Sequence, residues 1–245
     1  MEPRAYVEMA ALQDKHWWFV ARRRILAHVL SDLSLPQGAA ILEIGCGTGG
    51  NLGMLSRFGV VSAVEMDEFA RAHARQISGL DIRPGRLPEN IPFPQASFDL
   101  VCLFDVLEHV AQDRLALQAL RPLVRPAGKI LITVPAYPWL WSAHDEELHH
   151  YRRYTAKRLV EQAQVAGLRI TYLTYFNTLF FPVVAITRLF DRWRKTGQPT
   201  GTGLPHPPIN KCLQAIFASE ARLLLALTRL PFGVSLLAVM EPKPA

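Results

Sequence analysis

Residues Ala39-Ala40-Ile41-Leu42-Glu43-Ile44 form a short apolar run that meets glycines at 45, 47, 49 and 50, after which Leu52 and Leu55 recur at helical spacing. Nothing else in the chain restricts its fold as much. A strand buried on both faces reads as a continuous apolar run, glycines admit the left-handed backbone of a tight turn, and a helix then returns along the sheet. The unit repeats. Val60–Val64 makes a second strand ending at Glu65, and 67–77 has helical composition. Ile82 lies in a short third strand, and Pro84, Pro88, Pro92 and Pro94 exclude regular structure up to a fourth strand at Phe98–Leu103. A helix over 113–123 stops near Pro126-Ala127-Gly128, followed by a fifth strand at Lys129–Val134. A helix over 155–166 ends at Gly167, a sixth strand spans Leu168–Tyr175, and Ser235–Met240 is a seventh. This alternation predicts an α/β fold with a doubly wound, mostly parallel sheet.

Around that core the expected organisation is a helical cap at 1–38, the α/β core at 39–176, a helical insertion at 177–233 and a final strand with its tail at 234–245. The cap holds an amphipathic helix over His16–Leu30, with Arg22, Arg23 and Arg24 as a basic turn. The insertion holds two helices around a Gly- and Pro-rich loop at 196–208. A chain of 245 residues fits one such domain with an appendage and leaves no room for a second catalytic domain. Three cysteines, Cys46, Cys102 and Cys212, are too few and too far apart for a disulfide framework or a zinc cluster, so reduced core thiols are expected. The N-terminus reaches Lys15 and His16 without an apolar signal region, which points to the cytoplasm. A net charge of +6 raises the question of nucleic acid or an anionic membrane surface without choosing between them.

The glycine turn predicts a binding site for something polar or anionic, because glycine lets backbone approach a ligand and the next helix offers unpaired N–H groups. Read as Gly45-x-Gly47-x-x-Gly50, with Glu65 about 20 residues on, it also fits a dinucleotide fingerprint, so a nicotinamide-dependent oxidoreductase is one reading. The wider stretch Ile41-Leu42-Glu43-Ile44-Gly45-Cys46-Gly47-Thr48-Gly49 resembles the first signature of class I S-adenosylmethionine-dependent methyltransferases. The resemblance continues through Glu65, Phe93–Val101, Phe104-Asp105-Val106-Leu107-Glu108-His109-Val110 and Leu123–Lys129. It covers Ile41 to Pro135 and is similar to the subgroup that includes the ubiquinone and menaquinone biosynthesis methyltransferases.

That resemblance implies a seven-stranded Rossmann-like sheet with an antiparallel last strand, S-adenosylmethionine as methyl donor and S-adenosylhomocysteine as product. It implies that Gly45, Cys46, Gly47, Thr48 and Gly49 hold the methionine part and that Glu43 orients this loop or the amino group. Glu65 would accept hydrogen bonds from the ribose hydroxyls, a role for a carboxylate. Met66 would lie against adenine, and Leu103, Phe104 and His109 would border the sulfonium. Arg86 stands where relatives carry an acid near the adenine amino group, so backbone groups of Arg86 and Leu87 are expected there instead. The stretch His16-Trp17-Trp18-Phe19-Val20-Ala21-Arg22 resembles an N-terminal segment of some bacterial members. Arg22 can pair bidentately with the cofactor carboxylate while Trp18 closes the site, or the helix is a plain cover with its arginines in solvent.

Ligands of open α/β sheets bind beyond the carboxyl ends of the strands, which puts the loop after Val134 beside the transferable methyl. Tyr137, Trp141, His144, Tyr151, Arg153 and Tyr154 are the expected substrate wall, aromatic and basic, suited to a small or lipid-linked acceptor. A hydroxyl acceptor needs a base, and His144, His149 and His109 are the candidates. His144, Asp145, His149 and His150 do not show the spacing of a helix-face ligand pair, and no metal is expected. The apolar stretch from 175 to 190, with Arg192, Trp193, Arg194 and Lys195 after it, is too broken to span a membrane. Residues 177–195 can instead rest on the inner face of one, close a lid or meet a second copy in a homodimer. Nucleobase methylation typically uses an Asn/Asp-Pro-Pro-aromatic motif after strand four, where this chain has Phe104-Asp105-Val106-Leu107, so nucleic acid is not an expected partner. The readings that remain are an O-methyltransferase, a cofactor-binding or membrane-surface partner protein without turnover and, behind these, a nicotinamide-dependent oxidoreductase.

Overall fold

The computed structural model describes residues 3–194, 203–224 and 228–243, so Lys195, residues 196–202 of the Gly- and Pro-rich loop, and Leu227 lie outside the described residues. In chain order the elements are α1 (Pro3–Leu12), α2 (Trp17–Ser31), β1 (Ala39–Ile44), α3 (Leu52–Leu55), β2 (Gly59–Glu65), α4 (Glu68–Ser78), β3 (Ile82–Pro84) and β4 (Phe98–Phe104). They continue with α5 (Asp113–Leu120), β5 (Val124–Pro135), α6 (Ala143–Glu147), α7 (Ala156–Val165), β6 (Leu168–Phe176), α8 (Phe181–Arg194), α9 (Pro207–Leu223) and β7 (Ser235–Pro242).

One seven-stranded sheet runs in the order β3-β2-β1-β4-β5-β7-β6. The first five strands are parallel, and β7 lies antiparallel between β5 and β6. The strand order reverses between β1 and β4, so a crevice opens beyond their carboxyl ends, where such sheets take ligands. Side chains alternate across the sheet. Ile41, Leu100, Leu131 and Val239 face the layer of α2 and α9, with Ile25, Leu26 and Phe217 packed there. Leu42, Val101, Ile132 and Ala238 face α5 and α7, with Leu117 and Leu159. All thirteen are essentially sealed from solvent, and burying each Leu, Ile, Val or Phe side chain contributes about 1.5–3 kcal/mol.

Local signals set the helix boundaries. His16 Nδ1 accepts the Trp18 N–H (3.3 Å) before α2, Asp67 Oδ1 accepts that of Ala70 (2.9 Å) before α4, and Thr155 Oγ1 accepts that of Arg158 (3.1 Å) before α7. Each such cap is worth about 1 kcal/mol. Gly79 and Gly167, with φ of 69° and 74°, close α4 and the α7 turn in the left-handed region.

Three features depart from the sequence reading. Helix α1 adds a first element that composition did not signal. Strand β5 starts at Val124, through Pro126 and Gly128, because Val124 pairs with Phe98 across an irregularity that ends before Leu100. Gly128 suits that close approach, since a Cβ there would lie 2.9 Å from the Phe98 carbonyl oxygen. Finally, Cys46 and Cys102 are buried as expected, but Cys212 is exposed on α9.

Candidate active site at the carboxyl ends of the strands

After β1 the backbone turns through Gly45, Gly47 and Gly49 with φ of 71°, 54° and 89°, a region that costs other L-residues roughly 1–2 kcal/mol. A Cβ on Gly45 would also lie 2.7 Å from Val106 Cγ2. The end of β2 braces this loop: the Gly47 N–H donates to Glu65 Oε2 (2.8 Å) and the Asp67 N–H to Glu65 Oε1 (2.9 Å). Burial raises the Glu65 carboxyl above the usual range against the opposing pull of those N–H donors. Beneath the loop Glu43 is buried. Its Oε1 accepts from Asn51 Nδ2 (2.8 Å) while Oε2 has no hydrogen-bond partner among the described residues, and burial pushes the carboxyl up to about 7.

Helix α1 lies over this loop. Gln13, 2% exposed, accepts from Thr48 Oγ1 (2.6 Å). The Met9 sulfur is 3.3 Å from where a Gly47 Cβ would sit. Tyr6 is buried, and burial first, then the charges of Glu65 and Asp67, raises its phenol above the usual range.

At the floor of the crevice Arg22 of α2 reaches the sheet. Its Nη2 contacts Asp105 Oδ2 (2.5 Å) and donates to Thr133 Oγ1 (2.9 Å), and that hydroxyl donates to Asp105 Oδ1 (3.1 Å). The guanidinium carbon lies 5.0 Å from the Trp18 ring centroid and 5.6 Å from that of Phe104, within cation–π range. Arg22 Nε is buried without a partner among the described residues. The neighbouring Trp17 turns to the insertion instead, edge-on to Phe180 and Phe217.

Beyond β4 and β5 a second polar group forms. His109 meets His150 edge to face with centroids 4.6 Å apart. His150 Nδ1 is 2.9 Å from Asp145 Oδ1, which also accepts from Arg153 Nε (2.8 Å). Asp145 has no exposed surface. Glu108 is 1% exposed, and neither of its carboxylate oxygens has a partner among the described residues. Burial, then Asp105, holds its carboxyl well above the usual range. Burial, then His150, lowers His109 to about 3, and burial also lowers His144. An aromatic group flanks these residues: Tyr137 stacks on Tyr175 (5.2 Å, 11°), and Phe181 touches Tyr137, Trp139 and Phe232.

The sequence model of the methyltransferase domain family matches residues 19–173. The chain belongs to that family. Among curated relatives, a probable S-adenosylmethionine-dependent methyltransferase of Mycolicibacterium smegmatis is 29% identical over 65% of this chain and 62% of its own length. A ubiquinone biosynthesis O-methyltransferase of Xanthomonas axonopodis is 29% identical over 51% of this chain and 58% of its own length. These matched stretches cover less than two thirds of the relatives they match. Solved structures confirm the fold. A Haloferax volcanii methyltransferase, determined in complex with its methyltransferase activator, superposes with a TM-score of 0.66 at 18% identity over 99% of this chain and 96% of that one. A TehB-like S-adenosylmethionine-dependent methyltransferase of Corynebacterium glutamicum gives 0.55 at 20% identity, covering 89% and 87%.

On this methyltransferase framework the residues predicted to hold the cofactor fall into groups. Glu43, the glycines, Thr48 and Glu65 meet at one end of the crevice, and Trp18, Arg22 and Phe104 meet at its floor. Cys46 and Leu87 are buried, Leu103 is enclosed in the core, Met66 is 64% exposed, and Arg86 pairs with Glu89 (2.9 Å) at the surface. Of the predicted substrate wall, Tyr137 joins the aromatic group, Trp141 Nε1 donates to Glu146 Oε1 (3.2 Å), and Tyr151 is exposed. Arg153 is buried on Asp145, and Tyr154 is wholly buried with its hydroxyl donating to Asp113 Oδ2 (3.0 Å). Of the three histidines, His109 and His144 are partly buried and His149 is exposed, at a φ of 54°. Sequence reasoning gave no role to Asp105, Glu108, Gln13 or Tyr6, and it weighed His150 only as a metal ligand by helix-face spacing, which it does not show. Glu108 and Asp105 stand inside the segment that carried the family resemblance, and a charge beside a motif histidine was the available signal.

Proposed function

We propose that this chain is an S-adenosylmethionine-dependent methyltransferase acting on a hydroxyl of a small or lipid-linked acceptor, with S-adenosylhomocysteine as product. The observation that carries the donor is Glu65, fixed by the Gly47 and Asp67 N–H groups beside a loop whose three glycines take positive φ. The residues fit the donor in a second respect: the unpartnered Glu43 Oε2 suits an ammonium, and burial leaves it waiting for one. When bound, the donor supplies an electrophilic methyl on a sulfonium, so the chain chiefly has to align acceptor and methyl and accept a proton. Glu65, the glycine loop and Glu43 would hold the donor, and the residues beyond β4 and β5 would orient the acceptor oxygen towards its methyl group. Of the three candidate bases, burial lowers His109 to about 3 and removes it from this role, so His144 or His149 takes the hydroxyl proton.

Arg22 supports the floor in this reading, with Trp18 and Phe104 against its guanidinium. The aromatic group around Tyr137 supports an amphiphilic acceptor, and Val183, Ile186 and Leu189 of α8 are exposed close in sequence to Phe181, as a membrane-facing contact requires. No described helix is long and apolar enough to cross a membrane.

Calorimetric titration of S-adenosylmethionine, and separately of NAD, into wild type and Glu65→Ala tests the donor. Micromolar binding of the methyl donor, weakened by about 1.5–3 kcal/mol in the variant, is expected. Absence of donor binding by folded protein, or NAD binding in its place, overturns the reading.

A further inference from the structure

We propose that Glu108, His109 and His150 together bind one divalent first-row transition cation at the acceptor end of the crevice. Glu108 and His109 come from the single 3-10 turn after β4, and His150 from the loop after α6. One ligand atom from each can be chosen so that all lie within 4.8 Å of one another. That is close to the span of two ligands on opposite sides of an ion held at about 2.0–2.2 Å from each.

The observation that asks for a ligand is Glu108. It is 1% exposed, and both carboxylate oxygens lie without a partner among the described residues. Buried carboxylates are ordinarily paired or bound to metal, since an unsatisfied one loses its hydration for nothing. The two arginines nearest in this network are already engaged, Arg22 by Asp105 and Thr133, and Arg153 by Asp145 and the Ala136 carbonyl.

The outer contacts have the arrangement a metal site uses. His150 Nδ1 sits 2.9 Å from Asp145 Oδ1, so a proton on Nδ1 leaves the Nε2 lone pair for an ion. Asp145 is held in turn by Arg153 Nε (2.8 Å), by the Ser142 N–H (2.9 Å) and by Ser142 Oγ (3.1 Å). The carboxylate–histidine–metal relay orients ligands in this way. His109 has a backbone partner of its own at Leu148. Two imidazoles and one carboxylate favour Mn²⁺, Co²⁺ or Zn²⁺ over Mg²⁺ and Ca²⁺, which prefer oxygen-only cages. Three protein ligands leave positions open for an oxygen of the acceptor, which such an ion would hold and make easier to deprotonate. That use rests on the proposed methyl transfer, while the cation site stands without it.

Untagged protein, dialysed against chelator, is titrated with Mn²⁺, Zn²⁺ and Mg²⁺ separately by calorimetry, and Co²⁺ binding is followed by visible absorption. One equivalent of Mn²⁺ or Zn²⁺ is expected, at least about tenfold weaker in Glu108→Gln and in His150→Asn and for Mg²⁺ with wild type. Circular dichroism melts check folding, and should Glu108→Gln unfold, the partly exposed His150→Asn carries the test. No saturable binding by folded wild type, or equal affinity in the folded variants, overturns the proposal. Neither outcome depends on the donor titrations above, so the two readings fail separately.

Discussion

Around the glycine loop the bracing contact runs from a side chain to backbone, as Glu65 takes the N–H groups of Gly47 and Asp67. Beyond β5 the contacts run from side chain to side chain, most of them charged. Asp113 gathers Arg152 (2.8 Å), Tyr154 and Arg158 (3.3 Å), and Asp145 gathers Arg153 and His150. The first end depends on backbone conformation and tolerates change in side chains that only line it. The second depends on each charge having its partner, so a single substitution reaches further there.

The sharpest way to break this comparison is Asp145→Ala, which leaves the Arg153 guanidinium buried and unpaired. Urea denaturation is expected to show a loss of about 3–5 kcal/mol, with S-adenosylmethionine affinity changed less than about threefold. A loss under about 1 kcal/mol would mean that the acceptor end is not held by its charges. Although burial opposes it, the His150 and Arg153 contacts hold the Asp145 carboxyl well below its usual range. Its contribution to stability is therefore present above the unfolded value near 3.9 and lost as pH falls through the lower folded value.

Glu43 has the opposite sign. Burial raises its carboxyl from 4.5 to about 7, so the folded state binds more protons than the unfolded state in that window, and stability falls as pH rises from about 4.5 to about 7. The fall should be about 3 kcal/mol, and denaturation of Glu43→Gln at several pH values should lack this component. An unchanged pH slope would show that Glu43 is solvated, contrary to its burial. The smallest effect belongs to the surface. Arg86→Ala removes an exposed pair with Glu89 and should shift donor affinity, read by calorimetry, by less than about 0.5 kcal/mol. A larger shift would extend the cofactor end to this side chain.

The contrast also explains what could be read in the chain. The glycine turn and the succession of strands and helices were legible because each is written in consecutive residues whose conformation is local, while the antiparallel place of β7 came from the family resemblance. The partners of Asp145 were not, because the short helix α6 and the turn after it, inside what reads as a loop, bring Ser142, His150 and Arg153 onto one carboxylate. The paired tryptophans show the same limit. Trp17 and Trp18 are adjacent in one motif, yet about 100° of helical rotation sends one to the insertion and the other to Arg22. Helix α1 escaped notice because its apolar residues meet the glycine loop rather than a repeating core pattern.

The junction of α2 with α9 has a consequence for biosynthesis. The Trp17 N–H donates to Asn210 Oδ1 (2.9 Å) across a sequence separation of 193, and Asn210 Nδ2 returns a bond to the Lys15 carbonyl (2.8 Å). A chain is made from its N-terminus at roughly 5–20 residues per second, so the Trp17 side of α2 leaves the ribosome with its apolar cover still unmade. It stays uncovered for on the order of ten seconds or more at such rates, and closing so long a loop comes late in folding. The Trp17 face of α2 is therefore completed only when α9, in the last fifth of the chain, has been made.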